Sequence, residues 1–518
     1  MFAKINGAAV QGIDAIPVTI EVTIGNGFGF CLVGLPDTAV KESYPRIKAA
    51  LKLSGMDFPR RRVVVNMSPA DIKKEGAAYD LPIAVGILAA DEKISAERLN
   101  RFMLMGELSL DGSLQPIKGV LPMAIKARED GLEGIIVPKA NVMEAAVVNR
   151  LKVYGADNLT EVIGFFNNSC ELQPTEIDTR EMFRTHANSF DLDFSDVKGQ
   201  ENVKRAFEVA CAGGHNILLI GPPGSGKSMM AKRLPSILPP LTLQEALETT
   251  KIHSVAGKLE RGSMLMTQRP FRSPHHTISP VALVGGGSYP MPGEISLAHN
   301  GILFLDEFPE FNRQVLEVMR QPLEDRHITI SRAKYTVDYP AGFMLVASMN
   351  PCPCGYHNHP TKKCICPPGA VQRYLNRISG PLLDRIDMQV EVAPVAFDDI
   401  SSTAPAESSA TIRQRVIRAR EIQTNRYKNA NGVHCNAQMT SRMLHAHALP
   451  DNEGLKRLKE AMTRLNMSAR AYDRILRVAR TIADLDESEK VQAVHIQEAI
   501  GYRNLDRANW ANTYDYFK

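Results

Sequence analysis

The chain has 518 residues, of which 44% are hydrophobic and 23% are charged, and its formal net charge is +4 at pH 7. This length exceeds what one compact core accommodates, so two to four domains are expected in an ordinary globular protein. The weak positive charge permits nucleic-acid binding without requiring it. A content of one tryptophan and 13 tyrosines argues against base stacking on aromatic side chains as the main binding mode.

The start of the chain has no basic segment followed by an apolar run, so no secretory signal is predicted. The longest clean apolar stretch, LPIAVGILAA at residues 81–90, is far shorter than the roughly 20 residues that cross a bilayer. We therefore expect a cytoplasmic protein that makes no membrane contact. In that reducing compartment, cysteines are expected to be thiols or metal ligands rather than disulfides.

Residues 1–175 alternate β-branched strands with helical stretches, which predicts a first domain of mixed structure. The segment 18–35, VTIEVTIGNGFGFCLVGL, predicts a hairpin around glycine-rich turn residues, and residues 59–69 predict a short buried strand. The segment 119–131, GVLPMAIKAREDG, predicts a helix that leads into the strand GIIVP. Polar residues 176–195 are then expected to form a linker.

Residues 216–234 carry the phosphate-binding motif GPPGSGKS between an apolar strand and a helical stretch. In this arrangement glycines let backbone N–H groups converge on an anion, and the helix N-terminus adds positive potential. Lys227 is predicted to reach the β- and γ-phosphates of ATP, and Ser228 is predicted to ligate Mg²⁺. The predicted nucleotide-binding residues are Gly221, Pro222, Pro223, Gly224, Ser225, Gly226, Lys227 and Ser228.

An acidic pair ends the next apolar strand, in GILFLDEFPEF at residues 301–311. Asp306 and Glu307 are expected at the carboxyl end of a buried parallel strand, where ligands bind in α/β sheets. Asp306 is predicted to hold Mg²⁺ through water, and Glu307 is predicted to orient the water that attacks ATP. A surface turn after a core strand is the alternative interpretation.

A third strand, residues 342–351, ends in Asn350, whose amide suits positioning of the water or contact with the γ-phosphate. Further along, GPLLDRIDMQVEV at residues 380–392 presents Arg385 between apolar residues. An arginine supplied across a subunit boundary stabilises transition-state charge and contributes on the order of 10³–10⁵ in rate. Taken alone, Arg385 fits a salt-bridged surface residue better.

Four of the eight cysteines fall within CPCGYHNHPTKKCIC, residues 352–366. Four thiolates satisfy a tetrahedral Zn²⁺ ion, and because the prolines and glycines here preclude regular structure, a metal is expected to supply the folding energy. The predicted ligands of this structural zinc are Cys352, Cys354, Cys364 and Cys366, with His357 and His359 as spare candidates. Lys362 and Lys363 are predicted to face nucleic acid or a neighbouring subunit.

The order of these motifs, GPPGSGKS, LFLDEF, SMNP and LLDRID, followed by SARAYDRILRVARTIADL at residues 468–485, resembles that of AAA+ ATPases. More narrowly, the whole chain resembles the ComM/YifB family of magnesium-chelatase-like AAA+ ATPases. The resemblance implies a hexameric ring with an ATP site at each subunit interface. It makes Asn350 the sensor-1 residue, Arg385 the arginine finger that acts on the neighbouring subunit, and Arg470 the sensor-2 arginine of a helical lid.

The same resemblance implies two inserts near the central pore of the ring. Residues 271–301 contain glycines and prolines that exclude a plain helix, and they resemble the helix-2 insert of this branch. Residues 327–342 predict two alternating strands around SRAK and resemble the hairpin that precedes sensor 1. Arg332 and Lys334 at its tip are predicted to contact DNA phosphates. A solvated hairpin turn is the alternative.

The N-terminal region resembles the proteolytic domain of Lon, which implies a ribosomal S5 domain 2-like α+β fold. Protease chemistry there needs a serine that a lysine activates. By this resemblance Asp80 occupies the place of the serine and Leu121 the place of the lysine, while Ser68 and Lys73 lie nearby but outside the alignment. We therefore expect a scaffold for ring assembly or DNA handling rather than a protease.

The expected fold is α/β, with a Lon-like domain at residues 1–175 and an AAA+ parallel-sheet core at residues 196–400. Residues 401–518 are expected to form a linker and the helical lid. The spacing of arginines 470, 474 and 477 places them on one helical face, which is either solvated or directed at the nucleotide.

The leading functional expectation is an ATP-dependent hexameric DNA helicase, which the family resemblance links to branch migration during natural transformation. A metal-chelatase motor subunit and a protein-remodelling ATPase are the alternatives. A Lon-like protease is disfavoured by Asp80 and Leu121.

Overall fold

The structure, a computed structural model, describes residues 2–178, 190–260, 262, 264–287, 290–332, 335–395, 406–430, 432–464 and 467–503. Its strands are β1 Phe2–Gln11, β2 Asp14–Gly25, β3 Phe30–Val33, β4 Arg62–Ser68, β5 Phe102–Leu104, β6 Glu107–Leu108, β7 Leu114–Gln115, β8 Gly134–Pro138, β9 Lys152–Ala156, β10 Pro174–Thr175, β11 Ile217–Ile220, β12 Phe271–Arg272, β13 Gly285–Gly286, β14 Met291–Pro292, β15 Ile302–Leu305, β16 His327–Arg332, β17 Tyr335–Pro340, β18 Met344–Met349 and β19 Met388–Glu391. Its α-helices are Thr38–Lys41, Ser43–Leu53, Asp80–Ala90, Val120–Glu129, Val142–Ala145, Leu159–Phe166, Glu201–Gly213, Lys227–Ala231, Leu243–Ala256, Pro280–Val284, Glu294–Leu297, Arg313–Val318, Arg320–Asp325, Ala370–Leu375, Gly380–Leu383, Ser409–Arg426, Ser441–His447, Asn452–Arg464, Ala469–Leu485 and Ala493–Gly501.

The first region of the chain folds around an eight-stranded mixed sheet in the order β10-β9-β8-β5-β1-β2-β4-β3. β1 and β2 pair antiparallel across a tight turn at Gly12 and Ile13, with Gln11 opposite Asp14. The hairpin predicted within residues 18–35 is wrong, because β2 pairs with β1 and β4 whereas β3 pairs parallel with β4. The two-residue turn between β1 and β2, with Gly12 at φ +66°, suits the twist of a hairpin. The GNGFG segment, residues 25–29, does not form such a turn but connects β2 to β3, which pairs with the other edge of β4.

Other predicted elements of this region are present in the structure. The strand expected within residues 59–69 is β4, and the helix expected within residues 119–131 is Val120–Glu129, which leads into β8. The apolar stretch at 81–90 forms the helix Asp80–Ala90, all of whose residues are buried. A helix that is apolar on every side requires cover on every side, and here it contacts β1, β2 and the helix Ser43–Leu53.

Asp80 is a carboxylate inside this core. Arg46 donates two hydrogen bonds to it, at 2.7 and 3.0 Å, and the Leu108 N–H donates a third at 3.3 Å. Burial nevertheless raises the pKa of Asp80 to about 6, because the loss of hydration outweighs these favourable partners. Leu121 is fully buried as well, so neither side chain at the two expected protease positions is presented to solvent.

The raised pKa of Asp80 predicts a pH-dependent stability of the helix Asp80–Ala90. Because the folded-state pKa lies above the unfolded value of about 3.9, the stabilising contribution grows as pH falls and is lost as pH rises through about 6. Between pH 7 and pH 5 the wild type should gain about 1 kcal/mol relative to Asp80→Asn. Hydrogen exchange of the helix amides in both proteins measures this difference, and an equal response to pH would contradict it.

The second region of the chain is built on a five-stranded sheet in the order β12-β15-β18-β11-β19, all of whose neighbours are parallel. Successive side chains of β11 enter different cores: Ile217 and Leu219 face one side, and Leu218 and Ile220 face the other. Burial on both faces explains the uninterrupted apolar strands of the sequence. The carboxyl ends of β11, β15 and β18 therefore meet at one edge, and the predicted large parallel sheet is confirmed.

The region from residue 406 to residue 503 is helical, as expected. Its helices share a core with Glu201–Gly213 and with one face of the parallel sheet. The arginine face of the helix Ala469–Leu485 is not a solvated row, because Arg474 forms an ion pair with the buried Asp387 and Arg477 donates to the Met439 carbonyl at 2.8 Å. The Arg474 guanidinium holds the pKa of Asp387 below its usual range despite burial. Arg470 alone of the three stays exposed, at 65%.

Two excursions from the parallel sheet lie beside the first region. The segment 271–301 contains the five-residue helix Pro280–Val284 and the short β13–β14 pair rather than a plain helix. β16 and β17 form an antiparallel hairpin that runs from His327 opposite Pro340 to Arg332 opposite Tyr335. Lys334 at its tip lies outside the described residues.

The first region contacts this hairpin directly. A β-carbon added at Gly12 would lie 2.8 Å from a methyl group of Val337 in β17. Next to this contact, Asp14 forms an ion pair at 2.9 Å with Lys251 of the helix Leu243–Ala256. The β1–β2 turn is thus a contact point between the two regions. Across the part of the chain that the structure describes, no helix is both long enough and apolar enough to traverse a membrane.

Candidate nucleotide site and cysteine cluster

The loop between β11 and the helix Lys227–Ala231 forms the floor of the candidate nucleotide site. Gly224 and Gly226 adopt φ values of +78° and +85°, which glycine tolerates at no steric cost. Gly221 lies so close to the Val392 carbonyl that a β-carbon would be 2.4 Å from its oxygen. The glycines of the motif are therefore required by backbone shape as well as by space.

Lys227 is nearly enclosed by this loop, with 8% of its surface exposed. Its ammonium donates to the carbonyls of Gly221 and Pro222, at 2.7 and 2.9 Å, and lies 3.4 Å from the amide oxygen of Asn350. Burial lowers the pKa of Lys227, and the nearby carboxylate of Asp306 opposes that shift. An anion of the size of a phosphate would supply the negative charge that this buried ammonium lacks.

Hydroxyl and carboxylate oxygens converge beside Lys227. The Ser228 hydroxyl donates to Asp306 at 2.5 Å, and the Ser348 hydroxyl donates to its other carboxylate oxygen. Hard oxygen ligands of this kind suit Mg²⁺, which is usually held by one or two protein groups plus phosphates. The donor set therefore fits the predicted Mg²⁺ position. Ser348 was missed from sequence, although a serine near the end of the apolar strand β18 is a usable signal.

Glu307 follows Asp306 in a left-handed conformation, with φ +53°, which a non-glycine residue adopts at an energetic cost. Its side chain is 58% exposed, and its carboxylate lies 3.4 Å from Nδ1 of His276. The imidazole of His276 in turn packs edge-on against Phe311 and lies tilted against the ring of His275, with the ring centroids 4.1 Å apart. His276 belongs to the 271–301 insert, and nothing in the sequence pattern placed it beside the acidic pair.

These groups surround one open cavity of 360 Å³. Its lining residues are Pro223, Gly224, Ser225, Gly226, Lys227, Ser228, Met229, Asp306, Glu307, Ser348, Met349 and Asn350. The structure thus brings together the predicted residues from the loop, the acidic pair and the third strand.

The predicted arginines Arg385 and Arg470 do not line this cavity, and of the predicted loop residues Gly221 and Pro222 lie outside its lining as well. Arg385 is 7% exposed, pairs with Glu324 and donates to the Pro381 carbonyl at 2.5 Å. Arg470 lies 3.5 Å from the carboxylate of Asp384, the residue before Arg385. Both arginines therefore have their partners outside their own chain's phosphate loop, and Arg470 contacts the residue that precedes Arg385.

The four cysteines of residues 352–366 converge without forming disulfides. Three of the sulfur pairs are 3.3, 3.6 and 3.8 Å apart, and all four ligand atoms lie within 4.8 Å of one another. Four sulfurs at about 2.3 Å from one zinc ion would be about 3.8 Å apart in a tetrahedron. The donor set and its spacing therefore fit a tetrahedral zinc ion.

Backbone groups favour the thiolate form of one cysteine of this cluster. Partial burial opposes ionisation of Cys354, but the N–H groups of Ile365 and Tyr356 point at its sulfur and lower its pKa to about 6. Burial raises the pKa of Cys352 to about 12, so the sulfurs differ in how readily they ionise. His359 accepts hydrogen bonds on Nδ1 from the backbone of Lys362 at 3.0 Å and of Thr361, and the group of ligand atoms within 4.8 Å of one another consists of the four sulfurs.

A P-loop followed by an acidic strand end in an all-parallel sheet, with a helical region packed on one face, defines a P-loop ATPase of the AAA+ class. Comparison with known families agrees with this class. The family described as "Magnesium chelatase, subunit ChlI" matches residues 193–400. The family described as "Subunit ChlI of Mg-chelatase" matches residues 20–141, and the family described as "Magnesium chelatase, subunit ChlI C-terminal" matches residues 406–503.

Relatives that match nearly the whole chain identify the family within this class. Uncharacterized protein YifB of Escherichia coli is 44% identical over 504 residues, which are 96% of each chain. Competence protein ComM of Haemophilus influenzae is 43% identical over 508 residues, 98% of each chain. The chain therefore belongs to the ComM/YifB family of magnesium-chelatase-like AAA+ ATPases. Archaeal Lon protease of Thermoplasma acidophilum is similar at 26% identity over 176 residues, 31% of this chain and 26% of that one.

Proposed function

We propose that this protein is a cytoplasmic, ATP-dependent DNA motor that assembles as a homohexamer and promotes branch migration. The single observation that carries the ATPase activity is the convergence of Lys227, Ser228, Asp306, Glu307 and Asn350 on one cavity. The choice of DNA as the partner rests on likeness to a relative named as a competence protein, at 43% identity over 98% of each chain.

Each residue of the cavity has a distinct role in this proposal. The ammonium of Lys227 exchanges its two carbonyl partners for the phosphates of ATP, while Ser228 and Asp306 would hold Mg²⁺. When bound, the metal would supply positive charge against the transferred phosphoryl group. Glu307 orients the attacking water and accepts its proton, and the Asn350 amide fixes the position of that water. Because the reaction is mostly positioning and electrostatics, the buried ammonium of Lys227 contributes charge stabilisation in a site that is shielded from water.

The hexamer is supported by the positions of Arg385 and Arg470. Neither arginine lines its own chain's cavity; Arg470 contacts Asp384 and Arg385 contacts Glu324. Transition-state charge needs a cation, and in this arrangement the cation comes from a neighbouring subunit. A closed ring gives every subunit both a donor and an acceptor face.

DNA contacts are proposed at the tip of the β16–β17 hairpin and at the cysteine-rich insert. Arg332 and Lys334 would meet phosphates without sequence readout. In the insert, Lys363 is exposed, while the ammonium of Lys362 stands 4.9 Å over the ring of Tyr356. Residues 1–175 serve as a Lon-like scaffold, and the packing of Gly12 on Val337 supports a scaffold that steadies the hairpin.

A structural zinc ion at Cys352, Cys354, Cys364 and Cys366 completes the proposal. The sulfur spacing and the N–H groups directed at Cys354 support it. The ion would fold an insert in which the residues from 351 to 369 form no helix or strand.

A second candidate function is a motor that remodels a partner protein, as in metal chelation. The three family descriptions that match the chain all name magnesium chelatase, and the same ATPase core would serve that task. The two candidates differ in what stimulates ATP turnover.

The test is ATP turnover by the full chain at moderate salt with no DNA, with single strands and with a synthetic branched junction. The proposal expects turnover to rise with DNA and junction products to appear on a gel from the same reactions. The response should weaken as salt increases, because phosphate contacts release counterions. Turnover indifferent to every DNA would contradict the DNA motor and favour the remodelling candidate.

A further inference from the structure

The cysteine-rich insert is in direct contact with the phosphate loop. A β-carbon added at Gly355 would lie 2.6 Å from Cδ and 3.2 Å from Cγ of Pro223, and Pro223 lines the nucleotide cavity. The insert also begins at Cys352, two residues after Asn350, another cavity residue. Both the chain path and the packing therefore join the insert to the wall of the ATP site.

The position of Gly355 depends on the cysteine cluster. Gly355 has φ +83° and donates its N–H to the Cys352 carbonyl at 2.9 Å, and its chain neighbour Cys354 contributes a sulfur to the cluster. Cys352 is fully buried. Because no helix or strand supports the described residues between 351 and 369, the four sulfurs are what fixes this backbone against Pro223.

We propose that metal binding at the four cysteines regulates nucleotide affinity, because the metal-loaded insert holds Gly355 against Pro223 and so keeps the phosphate loop in its binding shape. This inference rests on the proposed ATP and zinc sites. Loss of the metal frees the insert, and the loop then has to be ordered by ATP itself. Coupling between two sites is reciprocal, so bound nucleotide must also tighten metal binding by the same factor.

The experiment compares full-length protein loaded with zinc and the same protein stripped by a zinc-selective chelator under reducing conditions. The Kd of a fluorescent ATP analogue is measured in both states with Mg²⁺ present, and zinc affinity is measured with and without a saturating concentration of the same analogue. The Kd should rise at least about fivefold on stripping, and zinc affinity should rise by an equal factor when the analogue is bound. Metal content is read from elemental analysis.

The possible failures of this experiment are distinguishable. Equal nucleotide affinity in loaded and stripped protein overturns the coupling and leaves both sites standing. A chain that binds no zinc overturns the coupling together with the zinc site. A chain that binds zinc but no nucleotide in either state overturns the proposed ATPase.

Gly355 of the insert and Gly369, three residues after its last cysteine, give a matched pair of variants. Gly355 and Gly369 have φ values of +83° and +74°, but nothing lies within 4 Å of a β-carbon added at Gly369. Gly355→Ala should therefore raise the Kd for nucleotide by roughly tenfold while the protein keeps its zinc. Gly369→Ala imposes similar backbone strain without the contact and should bind nucleotide as the wild type does. Equal affinities in the two variants would overturn the contact between Gly355 and Pro223 as the route of coupling.

Discussion

Glu307→Gln is expected to bind ATP with wild-type affinity and to hydrolyse it about 10²–10⁴ times more slowly. The amide keeps the size of the carboxylate but no longer accepts a proton from the attacking water. Lys227, Ser228 and Asp306 remain in place, so the phosphates and Mg²⁺ are held as before. Binding of a fluorescent ATP analogue and phosphate release measure the two effects separately.

Two further variants serve as controls for the Glu307→Gln experiment. Lys227→Ala removes the buried ammonium that meets the phosphates and should lose binding as well as turnover. Glu310→Gln changes a nearby carboxylate that pairs with Arg377 at 2.7 Å and does not line the cavity, so turnover should be unchanged. If Glu307→Gln hydrolysed ATP at the wild-type rate, another group would orient the water.

The sequence was most informative where one local pattern specifies both structure and chemistry. The apolar run before GPPGSGKS requires a strand buried on both faces, and the glycines require a loop that an anion can approach. The same reasoning placed Asp306 and Asn350 at neighbouring strand ends, because parallel strands share one carboxyl edge. The four cysteines were predicted as a cluster because thiolates in this number and spacing are typical of a tetrahedral metal site.

The remainder depended on contacts between distant segments, which no local pattern contains. His276 lies beside Glu307 only because the 271–301 insert folds back over the acidic strand. Gly355 meets Pro223 through tertiary packing alone. The strand partner of β2 was predicted incorrectly, since a glycine-rich segment marks a change of direction without specifying which strand is reached. The spacing of the arginines predicted that they share one helical face, but it did not predict that two of them find partners inside the protein. Those partners, the carboxylate of Asp387 and the carbonyl of Met439, lie in segments distant in the sequence.

Arg385→Ala is expected to reduce ATP turnover on the order of 10³-fold while leaving ATP binding nearly intact. Arg385 does not line its own chain's cavity, so direct loss of phosphate contact within one subunit does not explain such an effect. Arg385 itself is 7% exposed, so truncating it removes packed side-chain atoms and should lower the thermal unfolding temperature, whereas its partner Glu324 is 53% exposed and costs little when left without a partner. Thermal unfolding and ATP binding are therefore measured beside turnover, because a folded chain that binds ATP without hydrolysing it has a catalytic defect rather than a folding defect.

Mixing Arg385→Ala chains with Lys227→Ala chains tests whether the arginine acts on a neighbouring subunit. Each variant alone lacks one half of every site, but a mixed ring contains interfaces at which an intact Lys227 faces an intact Arg385. In an equal mixture about a quarter of the interfaces have this order in a closed ring, so turnover should recover to a clear fraction of the wild-type rate. Glu324→Gln is the matched control, since it removes the intrachain partner of Arg385 but keeps the guanidinium, and it should stay active without mixing. Mixtures that exchange subunits yet remain inactive would contradict the assignment of Arg385 to a neighbouring subunit's site.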